Sequence, residues 1–443
     1  MRGKTLLIYS SVVAALGGFL FGFDTAVISG AERSIQELFQ LNDWWHGFTV
    51  SIALYGTVLG AMLGGLPADR FGRKATLIAV AVLYFASALG SALAPEWYSF
   101  MFFRFIGGLG VGASSVVGPM YISEIAPPAK RGRLVVLFQL NIVVGILIAY
   151  FSNYLLADAG DGSWRWMLGV ETFPAALFLF ALLAIPNSPR WLVKKGRLDE
   201  AEEILERIGE PNPAKELADI KNSLTVVTKK SGADPFFSRK YSVPIMLAVL
   251  LAMFNQLSGI NAIIYYAPRI FEMAGSGKNL ALLSTVGIGA VNLTATVIAL
   301  FLIDRLGRKV LMLIGSVGVI VFMGLVARSF LQENFGGWDV PIYIFGFIAF
   351  FAISQGAVIW VFISEIFPNK VRARGQSLGS FTHWILAAVI AQMFPGIAAQ
   401  VGGGYIFMFF SFMMVLQLLF VWKLMIETRG KSLEEIQKDL GIK

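Results

Sequence analysis

The chain contains no cysteine, which excludes a disulfide framework and a thiolate nucleophile or metal ligand. Histidine is nearly as scarce: His46 and His383 are the only two, and they lie far apart in sequence. Charged residues make up 14% of 443 positions, against about 25% in a soluble domain. With 56% apolar residues and a mean hydropathy of +0.70, this excludes a soluble enzyme, a coiled coil and a disordered chain. Alternation at every second residue, the mark of an outer-membrane barrel, is missing as well. The first apolar run is too long for a leader's hydrophobic region and lacks an A-x-A-like end, so no cleavable signal peptide is expected.

What the chain does have is long charge-free runs. A spanning helix needs roughly 20 apolar residues, and twelve stretches qualify: near 6–29, 46–67, 75–94, 97–123, 134–157, 166–186, 243–266, 280–303, 310–331, 340–364, 375–400 and 404–426. The expectation is an all-α membrane protein of twelve transmembrane helices in two pseudo-symmetric six-helix halves. The boundaries are 1–188 for the first half, 189–240 for a cytoplasmic helical linker, 241–428 for the second half and 429–443 for a cytoplasmic tail. The linker holds "RLDEAEEILERIG", amphipathic and laced with acid–base pairs at helical spacing. The net charge of +8 would suggest nucleic acid in a soluble protein. Here its placement matters more. Thirty of the 36 Lys and Arg fall in the even-numbered connections and the two ends; the other six are Arg33, Arg104, Arg165, Arg269, Lys278 and Arg328. The positive-inside rule then puts both termini in the cytoplasm.

The halves repeat. "PADRFGRK" after the second run (Asp69, Arg70, Arg73) returns as "LIDRLGRK" after the eighth (Asp304, Arg305, Arg308), 235 residues later. "SEIAPPAKRGR" (Glu124, Arg131) returns as "SEIFPNKVRAR" (Glu365, Arg372), 241 residues later. Two matches at nearly one offset indicate a duplicated six-span unit, and parallel repeats around a central site are a transporter architecture.

At these residues the chain resembles the sugar porters of the major facilitator superfamily. The similarity runs from "GFLFGFDTAVISG" to "IETRGKSLEEI" and includes both D-R-x-G-R-K loops, "RFIGGLGVG", "PMYISEIAP", "PNSPRWL" and "NQLSGINAIIYYAP". The family's P-E-S-P-R and P-E-T-K-G motifs are altered at Asn187, Ile426 and Arg429.

Ionisable groups inside spans are expensive, about 2.5–3.5 kcal/mol at a helix centre on insertion scales. The first half holds three: Asp24, Arg104 and Glu171. Asp24 is eight residues from Glu32, and Arg104 eight from Glu96, so both lie about 12 Å below the outer charges. Glu171, six residues from Arg165, is at similar depth, and the three can meet. Two readings stand: a static salt bridge, or a proton site in which Asp24 releases Arg104 on protonation. The resemblance implies the second, with Asp24 and Arg104 in proton coupling and Glu171 either a helper or a structural partner.

The spans of the second half contain no acid. They carry Asn255, Gln256, Asn261, Asn292, Gln355, Trp360, His383, Trp384 and Gln392. Amides donate and accept hydrogen bonds as hydroxyls do, and Trp faces cover apolar C–H surfaces, which suits a neutral polyol. Ser258, Asn261 and Tyr265 share one face of a straight helix while Gln256 points away; Gly259 is placed to break the helix and bring them together. The resemblance implies sugar contacts at Gln139, Gln256, Asn261, Asn292, Trp360 and Trp384, with Phe21, Thr25, Tyr265, Phe351 and Gly356 as lining. Asn255 and His383 stand where relatives carry other amides. Without the resemblance, a lone amide in a span reads as glue between helices.

The glycines of "RFIGGLGVG" follow no strand and read as close helix packing rather than a dinucleotide loop. The repeated charges Asp69, Arg70, Arg73, Glu124, Arg131, Asp304, Arg305, Arg308, Glu365 and Arg372 read either as anchors or as an inner gate. The resemblance thus implies a monosaccharide carrier (a hexose or pentose such as glucose, galactose or xylose) driven by proton symport and alternating access. It would be a plasma-membrane monomer, bacterial inner membrane by its short outer loops, with sugar, proton and lipid as partners and no cofactor, metal or nucleic acid. A uniporter of the same fold is the nearest rival. A drug exporter lacks support, since G-P-x-x-G-G is not found in the fifth run. An enzyme would need a nucleophile or a metal cluster, and a sensor usually has longer tails.

Overall fold

Backbone N–H and C=O groups in hydrocarbon have no water to bond, so a spanning run must satisfy them within its own helix. The computed structural model describes residues 3–229 and 235–442. In it all twelve apolar runs are helical, and among the described residues there is no strand. The spans are Thr5–Leu38, Asp43–Leu63, Arg73–Leu93, Trp97–Ile125, Lys130–Leu156, Ser163–Leu183, Arg239–Met273, Lys278–Leu306, Arg308–Leu331, Asp339–Ile366, Arg372–Val401 and Gly403–Lys423. Large apolar side chains such as Phe173, Phe180, Phe301 and Trp422 are exposed, as a lipid-facing surface requires.

Observed helices overrun the charge-free runs. The first continues to Leu38, nine residues past its expected end, through Glu32, Arg33 and Glu37. A charge marks where the hydrocarbon ends, not where helical hydrogen bonding must stop. Three spans are broken internally. The sixth divides into Ser163–Gly169 and Thr172–Leu183; Pro174, whose ring clashes with the carbonyl four residues back, accounts for the turn at Val170–Glu171. The seventh divides at Gly259, as its sequence suggested, and the tenth contains a π-helical turn over Ala352–Gly356.

The chain packs as two compact units. One comprises Met1–Asp24, Gly56–Ile146 and Leu168–Ala233; the other comprises Thr25–Tyr55, Leu147–Met167 and Asp234–Lys443. These divisions cut through the first, second, fifth and sixth spans. In the stretch expected as linker, helices form over Pro189–Lys194, Leu198–Arg207 and Pro213–Lys229. The middle one buries Ala201, Ile204 and Leu205. Residues 230–234 of that stretch and Lys443 of the tail lie outside the described residues. The tail helix Leu433–Asp439 starts with a capping box between Ser432 and Glu435.

The glycine run of the fourth span is packing surface. A Cβ on Gly112 would lie 2.2 Å from the Thr57 carbonyl oxygen, and one on Gly60 of the second span 2.3 Å from the Leu109 carbonyl oxygen. The backbones of the two spans therefore touch directly, the small-residue packing that holds helices together in lipid. Gly112→Val should force them apart and destabilise the protein by about 2–4 kcal/mol. Gly65→Ala, where an added Cβ meets nothing within 4 Å, should change little. Thermal unfolding of the two variants in detergent checks this; equal melting temperatures would show that the crossing tolerates expansion.

Candidate functional site

In the first unit the expected buried charges meet. Arg104 donates from Nη1 to Asp24 Oδ1 at 2.5 Å and from Nη2 to the Asp24 carbonyl at 3.2 Å. Both side chains are no more than 3% exposed, so the matched depths inferred from sequence place them in contact. Glu171 sits in the break of the sixth span, buried, and lies within range of the charges of both. Its Oε1 and the Arg104 Nε have no hydrogen-bond partner. Arg104 thus has one carboxylate engaged and a second close by. Phe21 is buried and Gln139 half-buried in this same unit.

In the second unit the polar groups of the seventh span converge because the helix breaks. Gln256 and Asn261, five residues apart, would stand about 140° apart around a continuous helix. Gly259 adopts φ 85, a left-handed conformation closed to a bulkier residue here because its Cβ would meet the Phe410 ring at 2.4 Å. Ser258 Oγ donates to the Asn255 carbonyl at 2.6 Å and accepts from Ile260 N at 3.3 Å. Across this turn Asn261 Nδ2 donates to Gln256 Oε1 at 2.6 Å. Gln256 Nε2 donates to Asn255 Oδ1 at 2.9 Å and lies 3.1 and 3.2 Å from the two ring nitrogens of His383.

The His383 ring centroid is 5.0 Å from Trp360 and 4.7 Å from Trp384. An amide row beside two indoles and an imidazole is what the sequence suggested. Asn255 Nδ2 also donates to the Gln355 carbonyl at 3.4 Å, and the Gln355 side-chain oxygen is buried without a partner. The π-helical turn lies here, ending at Gly356 beside Phe351. Tyr265 is buried. Asn292 accepts from Thr296, one turn along its own helix, and Thr25 is the first residue of this unit. Gln392 is engaged elsewhere, accepting from Tyr55 Oη at 2.5 Å.

The repeated loop charges form two equivalent clusters, each closed within its own unit. Arg73 donates to the Ala68 carbonyl, pairs with Asp69 and holds Glu124 at 2.9 Å; Ser188 Oγ takes the other Glu124 oxygen. Arg308 donates to the Ile303 carbonyl, pairs with Asp304 and holds Glu365 at 2.9 Å; Thr428 Oγ1 takes the other Glu365 oxygen. The repeated E-x6-R spacing therefore does not describe the pairing: Glu124 engages Arg73, and Arg131 Nε is buried without a partner. Arg372 Nε donates to the Phe367 carbonyl. Arg70 stacks on Phe71, and Arg305 is exposed.

The clusters differ at one point. In the second, Glu427 accepts from the backbone N–H groups of Arg308, Lys309, Thr428 and Arg429 at 2.9–3.0 Å. In the first, Asn187 holds the matching position and the Trp191 ring covers Gly72.

Sequence reasoning missed a further buried group, Glu32 with His46 and Arg269. The available signal was a glutamate just past the first apolar run and a histidine opening the second.

Partial burial raises the Glu427 pKa, but the four N–H donors outweigh it and hold the carboxylate below its ordinary value. A lowered pKa means stabilisation that is present above the ordinary value and lost as pH falls through the lowered one. Glu427→Ala should cost about 0.5–1 kcal/mol at pH 7, in the range of an N-cap that is partly exposed. The difference from wild type should vanish in acid. Paired thermal melts at neutral and acidic pH measure it.

Comparison with known proteins follows this geometry. The family profile described as "Sugar (and other) transporter" matches residues 10–440. The arabinose-proton symporter of Bacillus subtilis is 41% identical over 98% of this chain and 94% of its own. The D-xylose-proton symporter of Escherichia coli is 37% identical over 96% of this chain and 94% of its own. Among solved structures, an inward-open conformation of the xylose transporter XylE from E. coli superposes with a TM-score of 0.87 at 36% identity, covering 97% of this chain and 99% of that one.

Proposed function

This chain belongs to the sugar transporter family, and from that premise we propose that it imports a neutral monosaccharide with a proton by alternating access across a bacterial plasma membrane. It is a multi-pass membrane protein with the major facilitator fold. The relatives named above are proton symporters for arabinose and xylose, which supports a pentose or hexose as cargo.

The observation that carries the reading is the buried Asp24–Arg104 pair beside Glu171. A buried ion pair is weak evidence for stability, whereas a pair with an alternative partner is suited to switching. Protonation of Asp24 removes the charge that holds Arg104, whose guanidinium then turns to Glu171, the Oε1 of which has no partner. Deprotonation restores the first pairing. The sugar site is the uncharged cluster of Asn255, Gln256, Asn261, His383, Trp360 and Trp384, with Asn292, Tyr265, Thr25, Phe351 and Gly356 as lining; Phe21 and Gln139 are further candidate sugar contacts by the family resemblance. Sugar hydroxyls replace the amide–amide bonds, and the indoles cover the apolar ring faces.

The lysine and arginine distribution supports cytoplasmic termini. On that orientation the Arg73–Glu124 and Arg308–Glu365 clusters lie at the inner end. There they brace the loops of two rocking halves, residues 1–188 and 241–428, joined by the linker 189–240; the carrier works as a monomer. The charges Asp69, Arg70, Arg131, Asp304, Arg305 and Arg372 serve the same inner gate. One proton falling through 100 mV releases about 2.3 kcal/mol. At about 1.4 kcal/mol per tenfold, that sustains roughly a 50-fold sugar gradient.

Gln256→Ala removes three polar contacts and should weaken sugar binding by about 1–3 kcal/mol. Isothermal titration of the purified protein against arabinose, xylose and glucose gives the number and the preferred sugar together. Unchanged affinity would exclude the cluster as the site.

Asp24→Asn mimics the protonated state permanently. It should retain sugar exchange between two sides of a vesicle, which needs no proton release, and lose accumulation driven by a pH gradient. Accumulation at the wild-type level in the variant would remove Asp24 from the mechanism. Absence of accumulation in wild type would make the protein a uniporter.

A further inference from the structure

Glu32 and His46 are buried and Arg269 is half-buried in a further charge system of the spans, which neither the sugar site nor the Asp24 pair uses. Glu32 is 2% exposed and His46 fully buried. The His46 Nε2 lies 2.5 Å from Glu32 Oε2, and Arg269 Nη1 lies 3.5 Å from the same oxygen. The other imidazole nitrogen, Nδ1, is buried with no partner. All three residues lie in one compact unit but come from three spans: Glu32 from the first, His46 from the second, Arg269 from the second segment of the broken seventh.

We infer that Glu32, His46 and Arg269 form a second proton-binding site, distinct from Asp24, that latches the outer end of the carrier and opens it on taking up a proton. The inference rests on the carrier reading and on the orientation given above.

The argument is a charge balance. Glu32 and the Tyr266 ring face His46 directly and Arg269 reaches the same Glu32 oxygen; Asp43 on its own span, Arg33 and Glu37 on the first and Glu272 on the seventh are the neighbouring charges in sequence. The eleventh span contributes the Gln392 carbonyl, which packs on Gly47. Most of these are already engaged. Arg33 pairs with Glu272 and Glu37. Gln36 donates to Asp43 and accepts from Arg269. The Tyr266 hydroxyl donates to the Ala391 carbonyl at 2.8 Å, while its ring stands edge-on to the imidazole.

That leaves the Glu32 carboxylate neutralised by Arg269, with His46 uncharged, as long as the seventh-span segment stays packed on the first two spans. Separating the segment withdraws Arg269 and strands a buried carboxylate, an outcome costing several kcal/mol unless it is compensated. The nearest compensation is a proton on His46 Nδ1, the ring nitrogen other than the one against Glu32. It makes an imidazolium beside Glu32 and restores neutrality. Opening therefore binds one proton from the outer solution and closing returns it. By linkage, lower outer pH favours opening, and a one-proton uptake shifts the open-to-closed ratio by at most about tenfold per pH unit. A carrier built this way opens most readily toward the side that supplies protons.

The absence of native cysteine makes paired spin labels straightforward. Labels at Leu38 and Met273, both exposed, report the separation of the first span from the seventh-span segment by pulsed dipolar spectroscopy, with D-xylose, arabinose or glucose as the sugar. As pH falls from about 8 to about 5, the long-distance population should grow in the full-length protein. It should still grow in the Asp24→Asn background. It should become independent of pH in His46→Gln, with His46→Asn as the second variant should the first not fold, and in Glu32→Gln. A pH response that persists in a folded His46 variant overturns the proposal. So does a wild-type distance that responds to sugar but not to pH, which leaves the carrier reading intact. A distance that responds to neither in any condition overturns the latch and the alternating-access reading together.

Discussion

A polar or charged group inside a hydrocarbon layer must find its partner within the protein, because no water is there to provide one. Many of the buried polar groups of this molecule answer that requirement. Tyr121, Tyr150 and Tyr266 are buried, and each donates its hydroxyl to a carbonyl far away in sequence: that of Pro186 just beyond the sixth span, and those of Ile264 and Ala391 in the seventh and eleventh. Asp24 is matched by Arg104 and Glu32 by Arg269. The amides of the seventh span bond one another and meet His383. Pairing of this kind is exclusive. A group that changes partner must be offered another one, so each partner exchange becomes a discrete conformational step.

The helix breaks stand where that exchange is useful. A continuous helix uses its own N–H and C=O groups and keeps its side chains on fixed faces. Interrupting it at Val170–Glu171, at Gly259 and at Ala352–Gly356 frees backbone groups and redirects side chains in the positions that hold Glu171, the Gln256–Asn261 pair and Gln355. Charge and neutrality are divided in the same way. The spans of the first half hold the buried carboxylates Asp24, Glu32 and Glu171, and those of the second present amides and aromatic rings.

The duplication shows which parts of this arrangement are structural. Arg73 and Arg308 make the same carbonyl and carboxylate contacts five and fifty-odd residues away in their own repeats, and Ser188 and Thr428 play equivalent parts. The halves diverge at Glu427 and Asn187. One loop is tied to a helix N-terminus by a carboxylate, where the anion also meets the favourable end of the helix dipole. The other is covered by Trp191. Two loops of the same origin are thus held by an electrostatic contact in one case and an apolar contact in the other.

Twelve spans, the duplicated unit and the meeting of Asp24 with Arg104 were legible in the sequence. Hydrocarbon burial is a large free energy that adds up along each run, and residue counting measures depth at a fixed rise per residue. The family was legible too, through motifs that run the length of the chain. Helix ends were not, as the first span shows by continuing to Leu38, since backbone bonding does not stop at a charge. Neither was lateral pairing. Glu124 engages Arg73 and not Arg131, and Glu32 engages His46 and Arg269, because which side chains meet depends on how far each helix is rotated and how closely its neighbours approach. The Gln256–Asn261 contact lies between these cases. The sequence marked Gly259 as the place for a break, and only the tertiary structure, with Phe410 packed against that glycine and Ser258 bridging the turn, determined that the break brings the two amides together.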